Sequence, residues 1–98
     1  MFSGEYAPSQ LKQLIQANCA ILSEWMDPDN GLLIELYSKE VISHRELETI
    51  KAGKTSYDRN DALLLIIQRK SDEKCQKFVT TLRTANMSHL AQMLEIKP

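Results

Sequence analysis

The chain is poor in the residues that punctuate β-structure, with only three glycines, three prolines and 6% aromatic residues in 98 positions. A β-sandwich or small barrel needs a turn signal about every 8–12 residues, so this composition excludes both. Hydrophobic residues make up 43% and charged residues 26% of the chain, which supplies enough apolar surface for a core and argues against disorder. Because the length suits one core, we predict a single all-α domain over residues 1–98, with its folded core at about 9–96.

Long hydrophobic runs and cysteine motifs are also missing. The longest uninterrupted apolar run is Ala62–Ile67, far short of the ~20 residues that a membrane-spanning helix needs. The N-terminal residues have neither a cationic start nor an apolar segment, so they do not resemble a signal peptide. Cys19 and Cys75 lie in separate helical patterns without a CxxC motif. A disulfide between them stays open, but two isolated cysteines favour a reducing compartment. The sequence therefore predicts a cytoplasmic protein with no membrane partner.

Neither sign of charge is in excess, since 12 Lys and Arg residues face 13 Asp and Glu residues for a formal net charge of −1. A general nucleic-acid binder is normally strongly basic, so we predict no nucleic-acid partner. The weaker alternative is a small helical nucleic-acid-binding domain that would use Lys51, Lys54, Arg59, Lys70 and Lys74.

Residue patterns that carry catalysis are absent as well. His44 and His89 are far apart in the sequence, and neither has a second Cys or His at the spacing of metal ligands. Acid pairs such as Asp58 and Asp61 lie at predicted helix starts, where carboxylates stabilise the helix dipole. No nucleophile elbow or glycine-rich phosphate loop occurs. We therefore predict no catalytic residue, no metal and no cofactor, and we do not expect the chain to be an enzyme by itself.

Apolar residues recur at helical spacing along almost the whole chain. The clearest boundary is Ser43-His44-Arg45-Glu46, where Ser43 and Glu46 have the spacing of a capping box, and Gly53 then offers a left-handed stop. We predict six helices: from after Ser9 to near Met26, about Leu32–Val41, from Ser43 to near Gly53, from Asp58 to near Lys70, one capped by Ser71-Asp72 and one capped by Asn86. The first is predicted to bury Leu11, Leu14, Ile15, Asn18, Leu22 and Trp25, and the second Leu33, Leu36, Tyr37 and Val41.

Charge is distributed unevenly along the chain. From Glu24 to Glu48 there are seven acidic and two basic residues, a net charge of −5. From Lys51 to Arg83 there are eight basic and four acidic residues, a net charge of +4. These segments are either ordinary solvated faces or the two poles of a surface on which one molecule's acidic patch meets another's basic patch.

Five segments follow one another in an order that resembles the caspase recruitment domain, a member of the death-fold superfamily. They are Leu33–Ser43, Glu46–Ile50, Tyr57–Ala62 with Leu65–Ile67, Cys75–Phe78 with Leu82, and His89–Leu94. The resemblance extends from about Leu11 to Glu95. Prodomains of initiator caspases and apoptosome-type scaffolds are the most similar members.

This resemblance implies a six-helix antiparallel bundle with Greek-key death-fold topology, and a role in homotypic binding. It also implies two docking patches and a contact at the corner between the fourth and fifth helices. The basic patch comprises Lys12, Arg59, Arg69 and Lys70; the acidic patch comprises Glu35, Glu40, Glu46 and Glu48; the corner comprises Ser71 and Asp72. Two positions depart from the family pattern, since Leu63 replaces a basic residue and Ser71 replaces a glycine.

Two functional hypotheses follow from the resemblance. In the first, the chain recruits a caspase, or an apoptosome- or inflammasome-type scaffold, and can bind itself, which would nucleate a helical oligomer in apoptosis or innate immune signalling. Reversing the charge of Arg59, or of Glu46 and Glu48 together, would then abolish assembly and leave the melting temperature nearly unchanged. In the alternative, the chain is a monomeric decoy or autoinhibitory domain that blocks a partner without polymerising.

Overall fold

Helices form all the regular structure of residues 10–94, the part of the chain that the computed structural model describes. No strand occurs within this range, which confirms the predicted all-α class. The helices are α1 (Gln10–Ala17), α2 (Cys19–Trp25), α3 (Leu33–Ser38), α4 (His44–Lys51), α5 (Ser56–Ile67), α6 (Asp72–Thr84) and α7 (Ser88–Met93), with a π-helical turn at Pro28–Leu32 before α3. The ends of the predicted core, residues 9, 95 and 96, lie outside the described residues.

The helix predicted to run to Met26 is divided at Asn18. The Asn18 backbone N–H donates to the carbonyls of Leu14 (3.0 Å) and Ile15 (3.2 Å), and its Nδ2 also donates to the Leu14 carbonyl at 2.8 Å. A side chain that binds a carbonyl one turn back competes with the helical backbone ladder, and Asn18 has φ −107° and ψ 12°. Residues 10–94 therefore contain seven α-helical segments, and the predicted count of six is not confirmed.

Side-chain caps define the starts of α4 and α6 as the sequence predicts. At α4, the Ser43 N–H donates to Glu46 Oε1 (2.9 Å) and the Glu46 N–H donates to Ser43 Oγ (3.1 Å), which completes the capping box. At α6, Ser71 Oγ accepts from the Lys74 N–H at 3.3 Å. These caps depend only on residues three positions apart, so the local sequence is sufficient to predict them.

Two other predicted starts are displaced. Helix α5 begins at Ser56 instead of Asp58, because Thr55 Oγ1 accepts from the Asp58 N–H at 3.0 Å and caps the helix earlier. Asn86 is not the cap of α7, which follows Met87 without a side-chain cap. The predicted capping role of Asn86 is therefore wrong.

Asn86 instead helps to end α6. It has φ +66°, and the next amide, that of Met87, donates to the Leu82 carbonyl at 2.8 Å. This is a Schellman motif, in which asparagine is the commonest substitute for glycine. The same motif ends α3, where the left-handed position is occupied by Glu40 with φ +62°.

Helix α5 is the central helix of the core and packs on α2, on α4 and on the π-helical turn. Its inner face includes one polar side chain, Asn60, which is completely buried. Asn60 Nδ2 donates to the backbone carbonyls of Ser23 and Met26, both at 2.8 Å. Asn60 thereby holds the end of α2 against the start of α5.

Among the described helices, none combines the length and apolar character needed to cross a bilayer.

Two aromatic side chains predicted to be buried are exposed. Trp25 is 64% exposed because α2 turns Leu22, Ser23 and Met26 towards the core, and Trp25 lies about 200° around the helix from Ser23. Tyr37 is 41% exposed. The structure therefore corrects both predictions, and it leaves Trp25 as a large apolar group on the surface.

Candidate interaction site

Arg59, predicted to belong to the basic patch, is partly buried, and its guanidinium makes two short contacts within the same molecule. Its Nη1 donates to the Gly53 carbonyl at 2.7 Å, and its Nη2 forms an ion pair with Asp29 Oδ2 at 2.8 Å. The approach to Gly53 is close, since a Cβ at that position would lie 3.0 Å from Arg59 Cγ. Arg59 therefore joins the first turn of α5 to the end of α4 and to the π-helical turn.

Lys70 and Glu46, predicted for opposite patches, pair with each other in the same molecule. Lys70 Nζ lies 2.8 Å from Glu46 Oε1 and 2.9 Å from Oε2, and both side chains are partly buried. Partial burial disfavours the charged form of Glu46, but hydrogen bonds from Lys70 and Ser43, together with the Lys70 charge, outweigh it and lower the carboxyl pKa. This pair connects α4 to the corner between α5 and α6.

The depressed pKa of Glu46 is expected to make the fold less stable in acid. Because the folded carboxyl binds a proton less tightly than the unfolded one, its contribution is complete above the ordinary glutamate pKa of about 4.3 and is lost as the pH falls below it. Denaturant unfolding across this range should show a smaller loss for Glu46→Gln than for the unsubstituted chain.

Glu48→Gln is the matched control, because Glu48 is exposed on the same helix and forms no ion pair with a described residue. Its acid sensitivity should equal that of the unsubstituted chain. Equal acid sensitivity in Glu46→Gln would contradict the role assigned to the Lys70 contact.

The remaining acidic-patch residues are exposed. Glu35 Oε1 lies 3.9 Å from Nζ of Lys39, the residue that follows α3, which is a surface pair of small energetic value. Glu40 follows α3, and Glu48 lies on α4. Glu40 and Glu48 are in no ion pair with a described residue, so both carboxylates can meet a partner.

The predicted basic residues do not form one cluster. Arg59 lies in the first turn of α5 and Arg69 follows its last turn, so about 15 Å separates them at roughly 1.5 Å per residue. Lys12, on α1, lies near Cys75 of α6: burial raises the pKa of the Cys75 thiol, and the Lys12 charge opposes that shift. The basic groups are therefore divided between the two ends of α5.

The corner residues differ in their contacts. Ser71 is occupied as the cap of α6, whereas Asp72 is exposed in the first turn of that helix. Beside this corner lies a cleft of about 530 Å³ that brings Lys70 together with Glu40. Its lining comprises Tyr37, Ser38, Glu40, Ile42, Ser43, Lys70 and Lys74.

The described part of the chain contains no group of three or more His, Cys, Asp or Glu residues placed to hold a metal ion. Cys19 and Cys75 are both free thiols, which resolves the disulfide that the sequence left open. Burial raises the pKa of the Cys19 thiol, and Gln68 Nε2 lies 3.2 Å from its Sγ.

Exposed apolar side chains are the surface feature that sequence reasoning missed. The large ones are Ile21, Trp25, Ile34, Tyr37, Tyr57 and Leu65. One sequence signal marks Ile21: the eleven residues from Gln13 to Ser23, which span the end of α1 and most of α2, contain no charge. Exposed apolar side chains in or beside an uncharged stretch indicate an interaction surface.

Comparison with known proteins supports the family resemblance that the ordered sequence motifs indicate. The family model described as "Caspase recruitment domain" matches residues 12–97. The chain is 38% identical to caspase-1 of Canis lupus familiaris over 66 residues, which cover 66% of this chain and 16% of that protein. It is 36% identical to caspase-1 of Felis catus over 75 residues, which cover 76% of this chain and 18% of that protein. The match thus spans less than a fifth of either relative. These matches confirm the resemblance, and the chain belongs to the caspase recruitment domain (CARD) family of protein-interaction modules.

Proposed function

We propose that this chain is a homotypic CARD–CARD module that recruits a caspase or a CARD-bearing signalling scaffold. The family match over residues 12–97 carries the proposal. We further propose that residues 1–98 act as one unit with the Greek-key topology of the death fold. Its setting would be the cytoplasm, in apoptosis or innate immune signalling, without nucleic-acid or membrane partners.

The proposed docking surfaces separate into two kinds of residue. Glu35, Glu40, Glu48 and Arg69 are exposed and would contact the partner directly. Arg59, Glu46 and Lys70 would act mainly by holding α4, α5 and the π-helical turn in place, because their charged groups already have partners in the same molecule. Lys12, Ser71 and Asp72 would complete the surface at the α5–α6 corner.

A single contact of this kind between two domains has low affinity. Exposed ion pairs contribute about 0.2–1 kcal/mol each, so a few of them hold two domains only loosely. An assembly in which every copy makes several such contacts forms steeply with concentration. We therefore expect recruitment to depend on partner clustering and on ionic strength.

Charge reversal at Glu48 or Arg69 is expected to weaken partner binding by about 2- to 10-fold without changing the melting temperature, because neither side chain forms an ion pair with a described residue. The variants are Glu48→Lys and Arg69→Glu. Binding would be measured by titration against the segment of dog caspase-1 that this chain matches, at about 0.05 and 0.5 M salt.

Asp61→Lys is the control, since Asp61 is an exposed acid of α5 that lies outside the proposed patches and forms no ion pair within residues 10–94. It should bind like the unsubstituted chain. No binding of the caspase-1 segment by any of these proteins would contradict recruitment of that class of partner, and equal binding by all of them would contradict the patch assignment.

The monomeric decoy is a second candidate, because the pairs Glu46–Lys70 and Arg59–Asp29 leave fewer free charges for polymerisation. Light scattering over a concentration series distinguishes the two. A decoy stays monomeric and still binds the caspase-1 segment, whereas a nucleating domain forms large species above a threshold concentration.

A further inference from the structure

Helix α2 presents two exposed apolar side chains on its outer face. Trp25 and Ile21 are one turn apart, so they are neighbours on the helix surface, and Ile21 is 45% exposed. Trp25 is the only tryptophan of the chain. The adjacent Glu24 is exposed and forms no ion pair with a described residue. The outer face of α2 is therefore an apolar projection with one negative charge beside it.

A separate apolar cleft of about 180 Å³ lies between the π-helical turn and α4. Leu33 and Leu47, each only 5% exposed, are buried beneath it, and Ile34 is exposed at its side. Its lining includes two charged residues, Asp29 and Lys51. Asp29 is paired with Arg59 at 2.8 Å, whereas Lys51 forms no ion pair with a described residue. The cleft is therefore apolar with an available positive charge.

We infer that Trp25 of one copy of this chain inserts into the Leu33–Leu47 cleft of a second copy, with Glu24 of the first beside Lys51 of the second. The inference rests on the proposed homotypic function and names the contact that would serve it. The cleft has room for one aromatic ring, because a cavity of roughly 150 Å³ accommodates benzene, so the six-membered ring of the indole can enter it. Tryptophan is also one of the residue types enriched among interface residues with a large energetic effect.

The occupant is a second copy because this chain carries both halves of the contact. The projection has an acidic neighbour and the cleft has a basic one, so the two surfaces are complementary in charge. Because they are different surfaces, copies joined head to tail make a heterologous contact that leaves each copy able to bind a further one, whereas a two-fold pair that makes the contact reciprocally closes as a dimer. A contact of this kind is mainly apolar, so it differs from the charged patches in tolerating salt.

Trp25→Ala is expected to weaken self-association by at least tenfold, measured by sedimentation over a concentration series at about 0.5 M salt. Ile34→Ala should weaken it by a smaller factor. Tyr57→Ala and Leu65→Ala are matched controls, because these apolar residues of α5 are also exposed, at 52% and 54%, and lie outside the contact. The emission of Trp25 should shift to shorter wavelength as the unsubstituted chain associates. Loss of association in both controls equal to that in Trp25→Ala would overturn the inference.

Charge exchange tests the orientation of the contact. Glu24→Lys and Lys51→Glu should each weaken self-association, and the double variant should restore it, because the pair is then re-formed with opposite sign. Rescue supports the proposed neighbours, while a double variant no better than either single variant overturns them. Circular dichroism and melting curves would confirm that each variant is folded.

Failure here is distinguishable from failure of the proposed function. If the chain stays monomeric at all concentrations but binds the caspase-1 segment, this inference is wrong and CARD recruitment stands. If Trp25→Ala abolishes self-association and leaves binding of the caspase-1 segment unchanged, the contact between copies is supported as a surface separate from the charged dock.

Discussion

Replacing Asn60 with alanine is expected to lower the free energy of unfolding by about 2–5 kcal/mol. The substitution removes two 2.8 Å hydrogen bonds and leaves the carbonyls of Ser23 and Met26 without their donor at a buried helix end. A buried polar group without a partner costs about 1–3 kcal/mol. The substitution leaves two such carbonyls without a donor. Denaturant unfolding would measure the change.

Gln68→Ala is the matched control for Asn60. Gln68 is another carboxamide of the same region, but its Nε2 contacts the sulfur of Cys19 at 3.2 Å, a weak acceptor. Its loss should cost much less. If the two substitutions cost the same, Asn60 does not hold α2 against α5 in the manner described.

Asn60→Asp provides a test that depends on pH. A carboxylate at this buried position would face two carbonyl oxygens and would be disfavoured, which raises its pKa in the folded state. A protonated aspartic acid can still donate one hydrogen bond. The variant should therefore be most stable in acid and lose stability as the pH rises, whereas Asn60→Ala should show no such recovery in acid.

Reversing the charge of Arg59 is expected to lower the melting temperature clearly, in contrast to the small effect that the sequence suggests. Arg59→Glu removes the donors to the Gly53 carbonyl and to Asp29, and it places a second carboxylate opposite Asp29. Hydrogen bonds that involve a charged group contribute about 1.5–3 kcal/mol each. The Asp29 side chain is half exposed, so its ion pair contributes only about 0.2–1 kcal/mol, and we expect a total loss of about 2 kcal/mol or more in thermal and denaturant unfolding.

Arg59→Lys and an Asp29→Ala, Arg59→Ala double-mutant cycle isolate the cause. Lysine keeps the charge but cannot reach two acceptors with a fixed planar group, so it should recover only part of the stability. Residues in direct contact show coupling of about 0.5–3 kcal/mol in such a cycle. Zero coupling, or an unchanged melting temperature in Arg59→Glu, would contradict the structural role of this arginine.

The sequence predicts most accurately what depends on residues close together in the chain. Ser43 and Glu46 are three positions apart, and their capping box is present. The ordered motifs that resemble the CARD family are confirmed by the family match. The sequence does not decide the role of Asn86, because asparagine is favoured both at the start of a helix and in the left-handed position that ends one.

Contacts between distant residues explain what sequence reasoning could not recover. Glu46 and Lys70 are 24 positions apart, and Arg59 and Asp29 are 30 apart, so no local pattern indicates that these charges pair within the molecule. The exposure of Trp25 depends on the face that α2 turns towards Asn60. Apolar periodicity identifies a helical face but does not show how much of that face a neighbouring helix covers.

The π-helical turn links these observations, since it carries both Asp29, which holds Arg59, and Pro28, which lines the apolar cleft. A molecule that fills the cleft would restrict the motion of this turn and so favour the geometry in which Asp29 forms an ion pair with Arg59. Linkage is reciprocal: weakening the arginine network would cost affinity at the cleft even though no atom of Arg59 lines it. Occupancy of the surface and rigidity of the interior would then rise and fall together.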